Sequence, residues 1–157
     1  ARAPGKPVAP ELGALRRQLL GGDPDGARDG LRLRLDRDPA DVGAWTLLAQ
    51  LEARTGRTAA SVAAWREVIA RGTAAEAQRA RFEAAVVAEG DPAAAIPLLE
   101  QFLATPDPLA AEATVRLGRA RRATGDESGA RAAFEAVIRD HPGSAAADAA
   151  RTALSGR

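Results

Sequence analysis

Four glycines, Gly22, Gly56, Gly90 and Gly125, recur at intervals of 34, 34 and 35 residues. A period of that length confines a chain to stacked repeat units, each unable to bury its apolar face alone. Three further columns keep the same register. Five residues after each glycine stands a small residue: Ala27, Ser61, Ala95 and Ala130. Nine after stands a large apolar one: Leu31, Trp65, Leu99 and Phe134. Thirteen after stand Leu35, Ile69, Leu103 and Ile138.

The columns describe two helices and a turn. Glycine suits the C′ position of a finishing helix, where a left-handed backbone is wanted and a Cβ is penalised. Asp23-Pro24 and Asp91-Pro92 follow two of the glycines. Asp caps the next helix and Pro fits its first turn, where no N–H is needed. Asp126 is expected to cap the fourth copy and Thr58 the second. The small residue marks a close helix crossing, and the residues at +9 and +13 are expected to share one helix face. Pro39 and Pro142 end the second helix of two copies, while Thr73 stands at that place in the second copy and Pro106 and Pro108 flank it in the third. Pro97 inside a second helix should cost one hydrogen bond and bend it.

The first half of each unit carries a helical stripe: Leu12, Leu15 and Leu19; Trp45, Leu48, Ala49 and Leu51; Phe82, Val86 and Val87; Val115, Leu117 and Ala120. No stretch alternates in the manner of a strand. Aromatic residues make up only 3% of the chain, so the core must be Ala, Leu and Val. Trp65 and Phe134 share the +9 column, and Trp45 and Phe82 fall on the first-helix stripes, which assigns them to the core rather than to ligand recognition.

These residues resemble the tetratricopeptide repeat family. The second copy carries Trp45, Leu48, Ala49, Gly56, Ser61, Trp65 and Val68; the fourth carries Leu117, Gly118, Gly125, Ala130, Phe134, Val137 and Pro142. The resemblance implies an all-α fold: an α-solenoid of about four helix-turn-helix units in a right-handed superhelix. It divides the chain into a proline-rich linker over 1–10 and a repeat domain over 11–157, with repeats at about 11–41, 42–75, 76–108 and 109–142 and a capping helix at 144–154. Glu11 and Arg34 in the first copy, and Arg79 and Glu83 in the third, depart from the family pattern. Their helices are expected to be shifted or partly exposed.

Enzyme signals are missing. There is no Cys and a single His, which excludes disulfides, thiolate metal sites and multi-histidine sites. No phosphate-binding glycine loop, nucleophile elbow or zinc-protease motif is present. His141, beside Pro142, reads as a helix-end residue. Asp29, Asp36, Asp38 and Asp41 lack the pattern of a calcium loop and read as solvated helix-end charges. No catalytic residue, metal or cofactor is expected.

What remains is binding. In the family the first helices line a groove, and the resemblance places Arg16, Gln50, Arg54, Arg81, Arg116 and Arg119 there, with Arg122 nearby. Arginine forks onto carboxylates, so one reading is a protein or peptide partner with an acidic segment or a terminal carboxylate. The other is that Arg solvates an exposed face of an Arg-rich chain. The family's carboxylate clamp relies on Asn, which this sequence lacks. Net charge is +1, from 22 basic and 21 acidic residues, and with no aromatics expected in the groove nucleic acid is disfavoured. No apolar run approaches the roughly 20 residues of a membrane span.

Ala132 to Ala146 is similar to repeats of bacterial envelope-assembly proteins, and the second copy to the periplasmic repeats of cytochrome c maturation factors, which hold apocytochrome. These similarities suggest a periplasmic or envelope scaffold. The alternatives are a cytoplasmic location, and a structural spacer or self-associating module. Ala1 rather than Met opens the sequence, so a signal peptide, an anchor, a further domain or only the initiator is expected upstream.

Overall fold

A computed structural model describes residues 9–156, so the expected linker over 1–10 lies almost wholly outside the described residues. The described residues form an all-α helical repeat fold in two compact units, one ending at Gly72 and the other beginning at Thr73. The first unit holds α1 (Leu12–Leu20), α2 (Pro24–Leu35), α3 (Val42–Arg54) and α4 (Thr58–Arg71). The second holds α5 (Ala74–Val87), a short 3-10 turn (Ala88–Gly90), α6 (Pro92–Leu103), α7 (Ala110–Ala123), α8 (Glu127–Asp140) and α9 (Ala145–Ser155).

Local chemistry sets the helix ends. Gly22, Gly56 and Gly125 adopt φ of 89°, 73° and 88°, the left-handed closure that a side chain resists. Gly90 does not. The third copy closes through the 3-10 turn instead, so its glycine needs no positive φ. Asp23, Asp91 and Asp126 cap α2, α6 and α8, accepting backbone N–H bonds from Gly26, Ala94 and Gly129 at 2.9, 3.2 and 2.8 Å. The expected cap at Thr58 is corrected: Thr58 is already the first helical residue, and Arg57 before it offers no side-chain acceptor. Thr73 is a cap in its own right, forming a reciprocal capping box with Glu76 at the start of α5. Ser144 caps α9. α6 continues through Pro97. Ala93, whose carbonyl loses its helical donor there, is exposed, so water can replace the missing bond.

The small column and the +9 column are buried in all four copies. The +13 column is not: Ile69, Leu103 and Ile138 are only half-buried, while Val68, Phe102 and Val137 at +12 are buried. At about 100° per residue, +5, +9 and +12 fall within a narrow arc and +13 lies at its edge. Arg34 occupies the +12 place in the first copy. Its guanidinium leaves the core to reach Asp41 at 2.5 Å and the Pro10 carbonyl at 3.2 Å.

Of two expectations about first helices, that for α5 fails and that for α3 holds in part. In α5 the buried stripe is Ala77, Ala80, Ala84 and Ala85, with Phe82, Val86 and Val87 only half-buried. In α3 Ala49 and Leu51 are buried as expected, joined by Ala44 and Leu47, while Trp45 and Leu48 are half-buried and pack against that core. Trp45 donates its indole N–H to the Pro39 carbonyl at 2.9 Å. Elsewhere the close crossings are as the small residues require. A Cβ on Gly118 would stand 2.7 Å from the Phe134 ring, so α7 and α8 approach there only because Gly118 has none. In the first unit, Arg28 of α2 and Glu52 of α3 form a buried ion pair at 2.8 Å, a pairing across 24 residues that no column announced.

Candidate functional site

The expected groove residues divide between the two units. Arg16 on α1 and Gln50 and Arg54 on α3 belong to the first and are exposed. Arg81, Arg116 and Arg119 belong to the second, where only two of the three line a common surface.

That surface follows α7. On one side of the helix a cleft of about 210 Å³ is walled by Ala85 and Glu89, floored by Leu99 of α6 and closed by Arg116, Arg119 and Ala120. On the other side a cleft of about 250 Å³ runs between Glu112, Arg116 and Arg119 and the alanines Ala145, Ala146 and Ala149 of α9. Arg116 and Arg119, three residues apart, line both, as neighbours on one helix face. Alanine along the walls lets a ligand chain approach the helix surface closely.

The two arginines differ in electrostatics. Arg116 is committed. Its guanidinium bonds Glu112 at 2.9 and 3.1 Å, reaches Glu89 at 3.3 Å and lies 5.9 Å from the Phe82 ring centroid. It ties α7 to the 3-10 turn after α5 and supplies a cation–π contact to Phe82 of α5. Arg119 is exposed, and among the described residues no carboxylate lies within ion-pair distance of it. Among the described residues it is the free cation of this surface.

Arg81 lines neither cleft; it is half-buried, and its Nε is buried without a partner among the described residues. Arg122 holds the fold together. It lies 5.1 Å from the Phe134 ring centroid, donates to the Ala153 carbonyl at 2.8 Å and pairs with Glu127 at 3.2 Å. His141 is the exposed C-cap of α8. Asp41, read as a solvated charge, caps α3 and pairs with Arg34. No group of three or more His, Asp or Glu among the described residues could hold a metal ion, and no described helix is long and apolar enough to cross a membrane.

Sequence reasoning missed Glu89, which is distant from Arg116 in the chain and approaches it only through packing. It also consigned Phe82 to the core, whereas its ring stands beside Arg116 at the surface.

Residues 85–145 match the family model described as the tetratricopeptide repeat. That segment holds α6, α7, α8 and most of the Arg116–Arg119 surface. Among curated proteins, none matches the chain by sequence. Solved structures of MamA are similar in fold. One is 22% identical, with 90% of this chain and 83% of that chain covered and a TM-score of 0.72. A second is 22% identical over 84% and 72%, at 0.70. A MamA RS-1 ArsTM double mutant is 19% identical over 86% and 78%, at 0.68.

Proposed function

We propose that this chain, a tetratricopeptide-repeat protein, is a non-catalytic scaffold that binds an acidic segment of a partner protein along α7 of its second unit. One observation carries the reading: Arg119 stands unpaired where two alanine-walled clefts meet, while Arg116 beside it is already neutralised by Glu112 and Glu89. A carboxylate entering either cleft meets a free guanidinium that can bind it with two parallel hydrogen bonds. Glu112 and Glu89 then act as selectors, repelling a carboxylate placed out of register. The similarity of Ala132 to Ala146 to envelope repeats supports a setting in the bacterial cell envelope.

The test is fluorescence polarisation with acidic peptides, each carrying either a free or an amidated C-terminus. Binding should weaken with added salt, and Arg119→Glu should weaken it at least about tenfold, the size of a charge-assisted contact turned repulsive. Because Arg119 is exposed and unpaired, that variant should keep its helical circular dichroism. Affinity equal in the wild-type protein and Arg119→Glu refutes the reading. Comparing free with amidated peptides separates a terminal carboxylate from an internal acidic run.

A further inference from the structure

The residues before the four repeat-turn glycines are Gly21, Thr55, Glu89 and Thr124. Only the third copy carries a charge there. Thr55 and Thr124 serve their own helices, donating through Oγ1 to the Leu51 and Arg121 carbonyls at 3.0 and 2.9 Å. Glu89 does not. It lies in the 3-10 turn that follows α5. Its one side-chain hydrogen bond among the described residues comes from Arg116 Nη1 on α7, at 3.3 Å.

Stability does not account for this placement. A carboxylate at the C-terminal end of a helix faces the negative end of the dipole and is disfavoured there. The ion pair offsets little of that, because the Glu89 side chain is 64% exposed and exposed pairs are weak. Arg116 does not depend on it either. One Glu112 oxygen accepts from both its Nε and its Nη2, at 3.1 and 2.9 Å, and already fixes the guanidinium against α7. What Glu89 covers is Nη1, the part of Arg116 that Glu112 leaves free. Glu89, Arg116 and Arg119 line the same cleft of about 210 Å³.

We propose that Glu89 is an internal competitor for the acidic segment bound along α7. Its carboxylate occupies the place on Arg116 that a carboxylate of the partner takes once the segment is seated on Arg119. This role rests on the acidic-partner reading above. The exchange leaves no charge unsatisfied: one carboxylate replaces another at Nη1, and Glu89, already exposed, takes up water. Arg116 and Arg119 are neighbours on one helix face, so a segment held by Arg119 presents its next carboxylate to Nη1 at high effective concentration. A stray carboxylate from solution has no such advantage. Glu89 thereby raises the threshold that a weakly acidic ligand must pass.

The experiment titrates acidic peptides by fluorescence polarisation against the intact protein and its Glu89 variants. Glu89→Gln should tighten binding about fivefold, the upper worth of an exposed pair. Glu89→Asp keeps the charge but is one methylene too short to hold Arg116 from the same backbone position, and it should tighten binding about threefold. Simple charge repulsion would leave that variant like the wild type. With Arg116→Gln in the background, the gain from Glu89→Gln should fall below about twofold, the part due to repulsion alone. Glu89→Gln should also melt no lower than the wild type, since it relieves the clash with the helix dipole. The proposal is overturned if Glu89→Gln leaves the affinity unchanged or weakens it, if Glu89→Asp binds as the wild type does, or if the full gain persists with Arg116→Gln. It is also overturned if Glu89→Gln melts lower, which would make the pair a structural one. None of these results touches the effect of Arg119→Glu. Binding that ignores Arg119→Glu removes the acidic-partner reading instead, and the competitor role with it.

Discussion

Glu52→Ala should destabilise the first unit by about 3 kcal/mol, the low end of the cost of leaving a buried charge unpaired. The carboxylate it removes is 4% exposed and accepts from Arg28 Nε at 2.8 Å. Arg28 is equally buried and cannot escape by losing its proton. The hydrogen bond it donates to Glu52 raises its pKa further above the usual value. What remains to Arg28 is Asp25, whose side chain is 85% exposed, and a bond to Thr55 at 3.3 Å. Asp25 keeps the loss at the low end, because a solvated carboxylate still offers partial compensation. Removing both charges, as Arg28→Leu with Glu52→Leu, takes away the desolvation penalty along with the attraction and should be nearly neutral. For the two Leu variants the coupling then equals the sum of the two single losses, so it should be at least about 3 kcal/mol, well beyond the additive error of distant sites. Trp45 and Trp65 both lie in the first unit, and the chain has no other tryptophan. Their fluorescence in urea reports on that unit alone. With a slope of about 1.5 kcal/mol per molar, the Glu52→Ala midpoint should fall by about 2 M. A shift under about 0.5 M for Glu52→Ala, or a double variant as unstable as the sum of its parts, would refute the reasoning.

Two more predictions concern the repeat turns. The Asp23 carboxyl is held below its usual range by the Gln18 side chain and the Gly26 N–H, and Asp126 by the Gly129 N–H and the Ser128 hydroxyl. A depressed folded-state pKa contributes stability that is complete above the unfolded value, near pH 4, and is lost as pH falls through the folded values. Melting temperature should thus be steady at neutral pH and decline in acid below about pH 4. Asp23→Asn with Asp126→Asn, which keeps the caps without titration, should make that decline shallower; an unchanged acid limb would contradict the assignment. Gly118→Leu should cost about 1–3 kcal/mol by overpacking against Phe134, read as a lower midpoint in a circular dichroism melt.

The parts of the fold legible in the sequence are those where residue size or backbone freedom differs sharply between neighbouring positions. Glycines at Gly22, Gly56 and Gly125, the Asp-Pro caps and the alternation of Ala130 with Phe134 are such contrasts, and helix ends and second-helix faces follow from them. The phase of α5 was illegible for the opposite reason. It is largely alanine, so its faces hardly differ in size, and Phe82, Val86 and Val87 read as the core stripe. The buried stripe is instead the alanines, which pack closely on α6 and turn Phe82 toward the surface. Arg28–Glu52 and Arg116–Glu89 were hidden because a charged residue reads as solvated until a partner from another helix meets it.

The departures from the columns were the most informative positions, and they fall into two kinds. Arg34 breaks the +12 column, yet Asp41 and the Pro10 carbonyl satisfy its guanidinium within the first unit; that break is compensated by the fold. Arg79 and Glu83 break the first-helix pattern of the third repeat and find only each other, at 3.9 Å and with Arg79 largely exposed. An exposed pair at that distance contributes little stability. The close junction is made instead by Ala77, Ala80, Ala84 and Ala85, which pack α5 on α6 and turn Arg79 toward solvent. Beside them lies the cleft lined by Phe82, Phe102 and Leu109. A local rule broken without structural compensation is where a binding role is to be sought. By that criterion neither break marks such a role: Asp41 and Pro10 satisfy Arg34, and a rotated, alanine-packed face accommodates Arg79 and Glu83.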